Sequence, residues 1–263
     1  MQTTTIPSAN SRRQLPRAAL SAHPLGRHLL AVLAAAALLL GTTAASAPGA
    51  SVGARVQATQ QLAVLLTAHS AHLAPESGSH QVTLVAAHRP ITGEQTTLPV
   101  IGRWTDTGGV RWLQVMLPGR PDGLTGWIAL QGTRKLMTAW HIVVELSARR
   151  VSIYGDGRLA RRFQAIVGKP STPTPTGQFF VEETLQMSAG EAGGPFALAL
   201  SARSNALQEF EGGPGQIALH GRDNLGGTLG TAASHGCVRL GTASIEWLAA
   251  RIGPGTPTTI VAG

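Results

Sequence analysis

The chain has 263 residues, enough for one large or two small domains with a full core, and 48 of them are glycine or proline. With 4% aromatic and 13% charged residues, the composition favours short strands and turns over long helices. The net charge of +8 suggests a nucleic-acid binder, but Arg12, Arg13, Arg17 and Arg27 lie in the first 50 residues, where there are no acids. Without them 17 basic residues face 13 acidic ones, and no basic helix is interleaved with aromatics, so a nucleic-acid partner is set aside.

In chain order, a basic stretch ending at Arg27 precedes the apolar run Leu29 to Gly41 and the small residues "TTAASA" from Thr42 to Ala47. This is the order of a secretory signal peptide over residues 1–50. The run is short for a bilayer span, which takes about 20 residues. Pro48 would hinder cleavage at the best A-x-A site, so an uncleaved membrane anchor stays open beside a cleaved signal. Either way, the rest of the chain is expected in the cell envelope or outside the cell.

Residues 51–80 read as a helix and a linker: Leu62, Leu65, Leu66, His69 and Leu73 share a helical face, Pro75 ends it, and "ESGSH" comes next. Residues 81–136 read as a small strand-rich module. Its clearest strands, "RWLQVML" (Arg111 to Leu117) and "GWIAL" (Gly126 to Leu130), are joined by the turn-rich "PGRPDGLT". The module resembles the bacterial SH3-like modules attached to exported wall enzymes, where a "TGWI" stretch ends a hairpin.

A second unit spans residues 138–263. In "WHIVVEL" the residues Trp140, Ile142, Val144 and Leu146 share one face, which leaves His141 and Glu145 toward solvent. A strand, the turn Gly155-Asp156-Gly157 and a returning strand make a hairpin. "GQFFVEE" and "QIALH" are further strands, and Thr184 to Gln216, with "EAGGPF" and "EFEGGPG", reads as a long loop that serves as a lid. A helix opens near Thr242 with Ile245, Leu248 and Ile252 on one face, Gly253 and Pro254 stop it, and "PTTIVAG" closes the chain as a strand. The unit is mostly β with one clear helix. Two glycine patterns carry no nucleotide: Gly155, Gly157 and Ala160 lie in a hairpin with no helix behind them, and Gly168-Lys169 is followed by Pro170.

The chemistry concentrates in "SHGCVRL", Ser234 to Leu240, which holds the only cysteine, Cys237. One thiol cannot staple an exported chain, and cysteine count alone leaves a buried hydrophobe and a nucleophile both open. A thiol attacks as the thiolate and needs a base or a positive neighbour. His69, His72, His80 and His88 fall in the first segments and read as surface histidines. His220 ends the strand "QIALH" opposite Ile217 and Leu219, with Gly221 next, and the glycine-rich "GRDNLGGTLGTAA" can bring it to Ser234. Gly236 and Cys237 can aim backbone N–H groups at an oxyanion, and Arg239 can hold a carboxylate or form an ordinary salt bridge. His220, His235 and Cys237 as a zinc site is the chemical rival, against which stands the lack of paired cysteines.

These residues resemble the signature of the YkuD-type L,D-transpeptidases of bacterial peptidoglycan: His220-Gly221, a glycine-rich loop, then Ser234-His235-Gly236-Cys237-Val238-Arg239, with Thr174-Pro175-Thr176-Gly177 upstream. The likeness runs from about Trp140 to Ala262. It implies a β-sandwich catalytic domain in which Cys237 attacks a stem peptide, releases D-alanine and passes the acyl group to an amine on a second stem, giving a 3→3 cross-link. It implies His220 as base, the Gly221 carbonyl as the group orienting its ring, His235, Gly236 and Cys237 as the oxyanion hole, and Ser234 and Arg239 against the substrate. Carbapenem-type inhibitors are expected to acylate the thiol, and no metal or organic cofactor is implied. An L,D-carboxypeptidase and an enzyme attaching proteins to the wall would use the same thiol chemistry. A non-catalytic wall-binding protein is the alternative of another class.

Overall fold

The computed structural model describes residues 56–209 and 212–263. The segment read as an export signal lies outside the described residues, among which no helix is long and apolar enough to cross a membrane. The first part is built from β1 (Gln60–Leu65), β2 (His69–His72), β3 (Gln81–Val85), β4 (Thr97–Thr105), β5 (Arg111–Met116), β6 (Thr125–Ala129) and β7 (Thr133–Thr138). They pair in one seven-stranded sheet in the order β3-β2-β6-β5-β4-β1-β7.

The expected helix over residues 58–75 is replaced by β1 and β2. The helical face does not hold, since Leu66 and Leu73 are 48% and 65% exposed. Instead Leu62 to Leu65 are all buried, because β1 runs between β4 and β7 and is covered on both faces. A short unbroken apolar run fits a buried strand as well as a helix, and tertiary pairing decides. The first sheet therefore begins at Gln60, inside the span expected as helix and linker.

The second part contains β8 (Trp140–Glu145), β9 (Arg150–Gly155), β10 (Arg158–Gln164), β11 (Val167–Gly168), β12 (Gly177–Gln186), β13 (Phe196–Arg203), β14 (Gln216–His220), β15 (Ala232–Ser234), β16 (Val238–Arg239), α1 (Thr242–Ala249) and β17 (Pro257–Val261). Eight of these strands form a sheet in the order β10-β9-β8-β17-β12-β13-β14-β16, while β11 and β15 pair separately. Asp156 and Gly157 both have positive φ in the β9–β10 turn, which matches the strand twist. Ile142, Val144, Val151 and Ile153 at one end of the sheet share a hydrophobic cluster with Leu219, Val238 and Leu240 at the other, and Ile245, Leu248 and Ile252 pack into it. The fold is mostly β with a single helix among the described residues.

Two further expectations change. His141 is buried at 7%, not solvated, and its Nε2 lies 2.8 Å from Thr259 Oγ1; burial pushes its pKa down to about 4. On the face of β8 that the alternation assigned to solvent, His141 lines a cavity together with Pro99, Ile101 and Met116 of the first sheet. The segment Thr184 to Gln216 is also not one loop, since β13 divides it into residues 187–195 and 204–215; part of "EFEGGPG" lies outside the described residues.

Strand β12 of the second sheet contributes side chains to both hydrophobic cores. Phe179 and Val181 face the second core, and Phe180 between them enters the first, beside Leu98 and Val115. The β12–β13 register shifts between Val181 and Glu183, so that consecutive carboxylates both reach the β3–β4 connection. Glu182 is held by Arg89 of the β3–β4 connection and, at 3.0 Å, by Arg203 of β13, while Glu183 accepts from Thr92 Oγ1 of the same connection at 3.0 Å. Because Phe180 anchors both sheets, Phe180→Ala is expected to cost about 3–5 kcal/mol. Urea unfolding should remain one transition at a lower midpoint; two separated transitions would show that the sheets unfold independently.

Candidate active site

Strands β14 and β16 run parallel, with Leu219 opposite Val238 and His220 opposite Arg239. Continuing that register back one residue sets Cys237 beside Ala218. Side chains alternate along each strand, so His220, Cys237 and Arg239 project from one face while Leu219, Val238 and Leu240 enter the core from the other. All three polar side chains line a cavity of about 400 Å³ together with His235.

The His220 ring is fixed at Nδ1, which donates to the Gly221 carbonyl at 2.7 Å. That tautomer leaves Nε2 as the acceptor. Two glycines make the ring's seat. A Cβ on Gly221 would lie 1.8 Å from the Gly194 carbonyl oxygen, and one on Gly193 would lie 2.8 Å from His220 Nδ1. Gly193 also has φ +90, so a side chain there would be strained as well as obstructive. Burial is the largest influence on His220 and lowers its pKa from 6.5; the Gly221 carbonyl opposes this, the Arg239 charge adds to it, and the Gly193 carbonyl opposes it.

The turn carrying Cys237 is braced from behind by hydroxyl groups. Ser234 is fully buried; its Oγ donates to the Cys237 carbonyl at 2.6 Å and accepts from Gly236 N–H at 3.1 Å. Thr174 Oγ1 donates to the Gly236 carbonyl at 2.7 Å, and Thr172 Oγ1 to the Ser234 carbonyl at 3.2 Å. Thr174 also accepts from Gly168 N–H at 2.9 Å, which ties the "TPTG" segment to the β11–β15 pair. Gly236 has φ +124, and a Cβ there would lie 3.0 Å from Ile217 Cδ1.

Ser234 is fully buried as a brace behind the turn, and the Gly236 N–H donates to its Oγ. A trans peptide points N–H opposite to C=O, so with the Gly236 carbonyl drawn to Thr174 the Cys237 N–H is directed away from Thr174.

Cys237 is half-buried, with Sγ 3.9 Å from the Gln216 carbonyl. His235 is exposed, and its Nε2 lies 3.3 Å from Nζ of Lys169, the lysine of the Gly168-Lys169 pair that carries no phosphate loop. Arg239 Nη1 donates to the Gly226 carbonyl at 3.1 Å, and its Nε is buried without a hydrogen-bond partner. Among the described residues no group of three or more His, Cys, Asp or Glu is placed to hold a metal ion.

The family described as the YkuD L,D-transpeptidase catalytic domain matches residues 139–260. Over these residues the chain is similar to an L,D-transpeptidase catalytic domain. The YkuD protein of Bacillus subtilis, assigned as an L,D-transpeptidase, is 27% identical over 146 residues, 56% of this chain and 73% of its own. The L,D-transpeptidase of Enterococcus faecium is 21% identical, covers 46% of this chain and has a TM-score of 0.37; this chain spans only 49% of its length. The L,D-transpeptidase LdtMt1, solved in complex with imipenem, is 20% identical over 64% of this chain and 91% of its own, with a TM-score of 0.40.

Sequence reasoning gave no site role to several residues that reach the cavity or its turn through space. Gly193 belongs to a glycine pair already visible in "EAGGPF", and Thr172 and Thr174 to the threonine–proline run, so both had a signal. Ser204 and Leu207 line the cavity with no motif to announce them. The His220 ring should titrate below 6.5 by NMR, and Arg239→Gln, which removes a nearby positive charge, should raise its midpoint. A midpoint above 6.5 in the wild type would mean that burial does not govern the ring.

Proposed function

We propose that this domain is an exported peptidoglycan L,D-transpeptidase that joins stem peptides 3→3 through a thioester on Cys237. The observation that carries the reading is the placement of His220, Cys237 and Arg239 on one face of two parallel strands at one cavity, with the His220 ring locked by the Gly221 carbonyl.

In this reading, His220 Nε2 takes the proton from Cys237 Sγ as the sulfur attacks the carbonyl between the L-centre of diaminopimelate and the terminal D-alanine. The Cys237 N–H stabilises the oxyanion as the tetrahedral centre forms. Collapse breaks the C–N bond, and His220 returns the proton to the leaving amine, so D-alanine departs and the thioester remains. An amine of a second stem then attacks the thioester, His220 takes its proton, and the proton passes to the thiolate as the cross-link is released. Arg239 adds positive charge beside the cavity, suited to a substrate carboxylate. If water takes the amine's place, the same machinery is an L,D-carboxypeptidase, and the product distinguishes the two. The first sheet, read as an SH3-like module, and the N-terminal segment, read as an export signal, belong to the same picture of an enzyme at the wall.

The test is intact mass after incubation with a carbapenem, the inhibitor class present in the LdtMt1 complex. Wild type should gain one stable adduct, and Cys237→Ala none. Since burial lowers the pKa of His220 from 6.5, the base is neutral at pH 7 and above, and acylation should slow only as pH falls through that lowered midpoint. An accessible thiol that gains no adduct at any pH would remove the acyl-transfer reading.

A further inference from the structure

The segment between β13 and β14 forms one wall of the cavity through Ser204, Leu207 and Gly215. Its neck is closed by Ser204 N–H donating to the Gly215 carbonyl at 2.8 Å. Gly215 sits so tightly that a Cβ would lie 2.0 Å from the Leu207 carbonyl oxygen. The neck is also held from outside the domain. Arg120, on the β5–β6 connection of the first sheet, directs Nη2 at three carbonyls: Ser204 at 2.9 Å, Pro214 at 3.3 Å and Leu207 at 3.4 Å. Two residues on, Asp122 Oδ1 accepts from Arg203 N–H at 2.8 Å, fastening the strand from which the wall departs.

This neck leads directly to the thiol. Gln216 follows Gly215, and its carbonyl is the one 3.9 Å from Cys237 Sγ. A charged donor converging on three carbonyls is stronger than neutral pairs and fixes their relative positions. We infer that Arg120 is a positioning residue of the active site: the first sheet, through this side chain, sets the wall formed by Ser204, Leu207 and Gly215, against which the acyl donor lies. The first sheet is then a component of the site and not merely a spacer. The inference rests on the acyl-transfer reading for its consequence in catalysis, but the clamp itself is a matter of geometry.

The side chain stands on an exposed turn, so Arg120→Ala should fold, with thermal unfolding as the check. Losing a charge-assisted contact of this kind is expected to slow carbapenem acylation by about tenfold. Arg120→Lys, whose ammonium offers three donors, should recover much of the rate. Alkylation of Cys237 by iodoacetamide, which needs only the thiol and no wall, should stay within about twofold of wild type in both variants. Acylation by Arg120→Ala at the wild-type rate would overturn the inference, as would an equal loss of alkylation, which would place the effect at the thiol. If wild type itself fails to acylate, the proposed function falls while the clamp is still judged by hydrogen exchange. Faster exchange of the Leu207 amide in Arg120→Ala supports it, and unchanged exchange overturns it.

Discussion

Three buried hydroxyls, on Thr172, Thr174 and Ser234, hold the carbonyls of the 234–237 turn toward the protein interior. Because peptide groups are planar and trans, turning the carbonyls inward fixes the direction of the N–H groups that come after them. The reactive part of the turn is thus defined by its back. This explains why a threonine–proline run some 60 positions earlier accompanies the cysteine motif: Thr174 and Gly236 are 62 residues apart and in direct contact. It also explains the glycine before the cysteine, which allows φ +124 and leaves no Cβ to meet Ile217.

The second constraint acts on His220. Its pKa is pushed down chiefly by burial, with Arg239 pushing the same way against the two carbonyls. A neutral imidazole with Nδ1 committed to Gly221 can accept a proton at Nε2, which is what a general base must do. A ring already charged at rest could stabilise a thiolate but could not take a further proton.

Much of this was legible in the sequence where chemistry and local pattern coincide. The period-two pattern of "QIALH" put Ile217 and Leu219 opposite His220, and the pairing bears this out. The hairpin around Asp156 and the helix at Thr242 likewise follow from turn chemistry and spacing. Failures arose where tertiary context decides. Residues 60–65 became a strand because two neighbours were available to pair, and β13 went unread inside a glycine-rich stretch. His141 looked solvated because alternation cannot show what lies against the second face. Arg120 carried no signal at all, since its meaning lies in three carbonyls more than 80 residues away.

The family match begins at residue 139, but the physical unit does not. Strand β12 gives Phe179 to one core and Phe180 to the other, and Glu182 is buried between an arginine from each side. A buried carboxylate tolerates desolvation only while its partners stay in place, so removing the first sheet would bare Phe180 and take away one of the two charges that neutralise Glu182. Arg203, the partner of Glu182, ends β13, from which the wall that Arg120 clamps departs. Packing, charge and site geometry all cross the boundary that sequence similarity draws. The first sheet is therefore tied to the second through Phe180 of β12 and through the contacts of Arg120 with Ser204, Leu207 and Pro214.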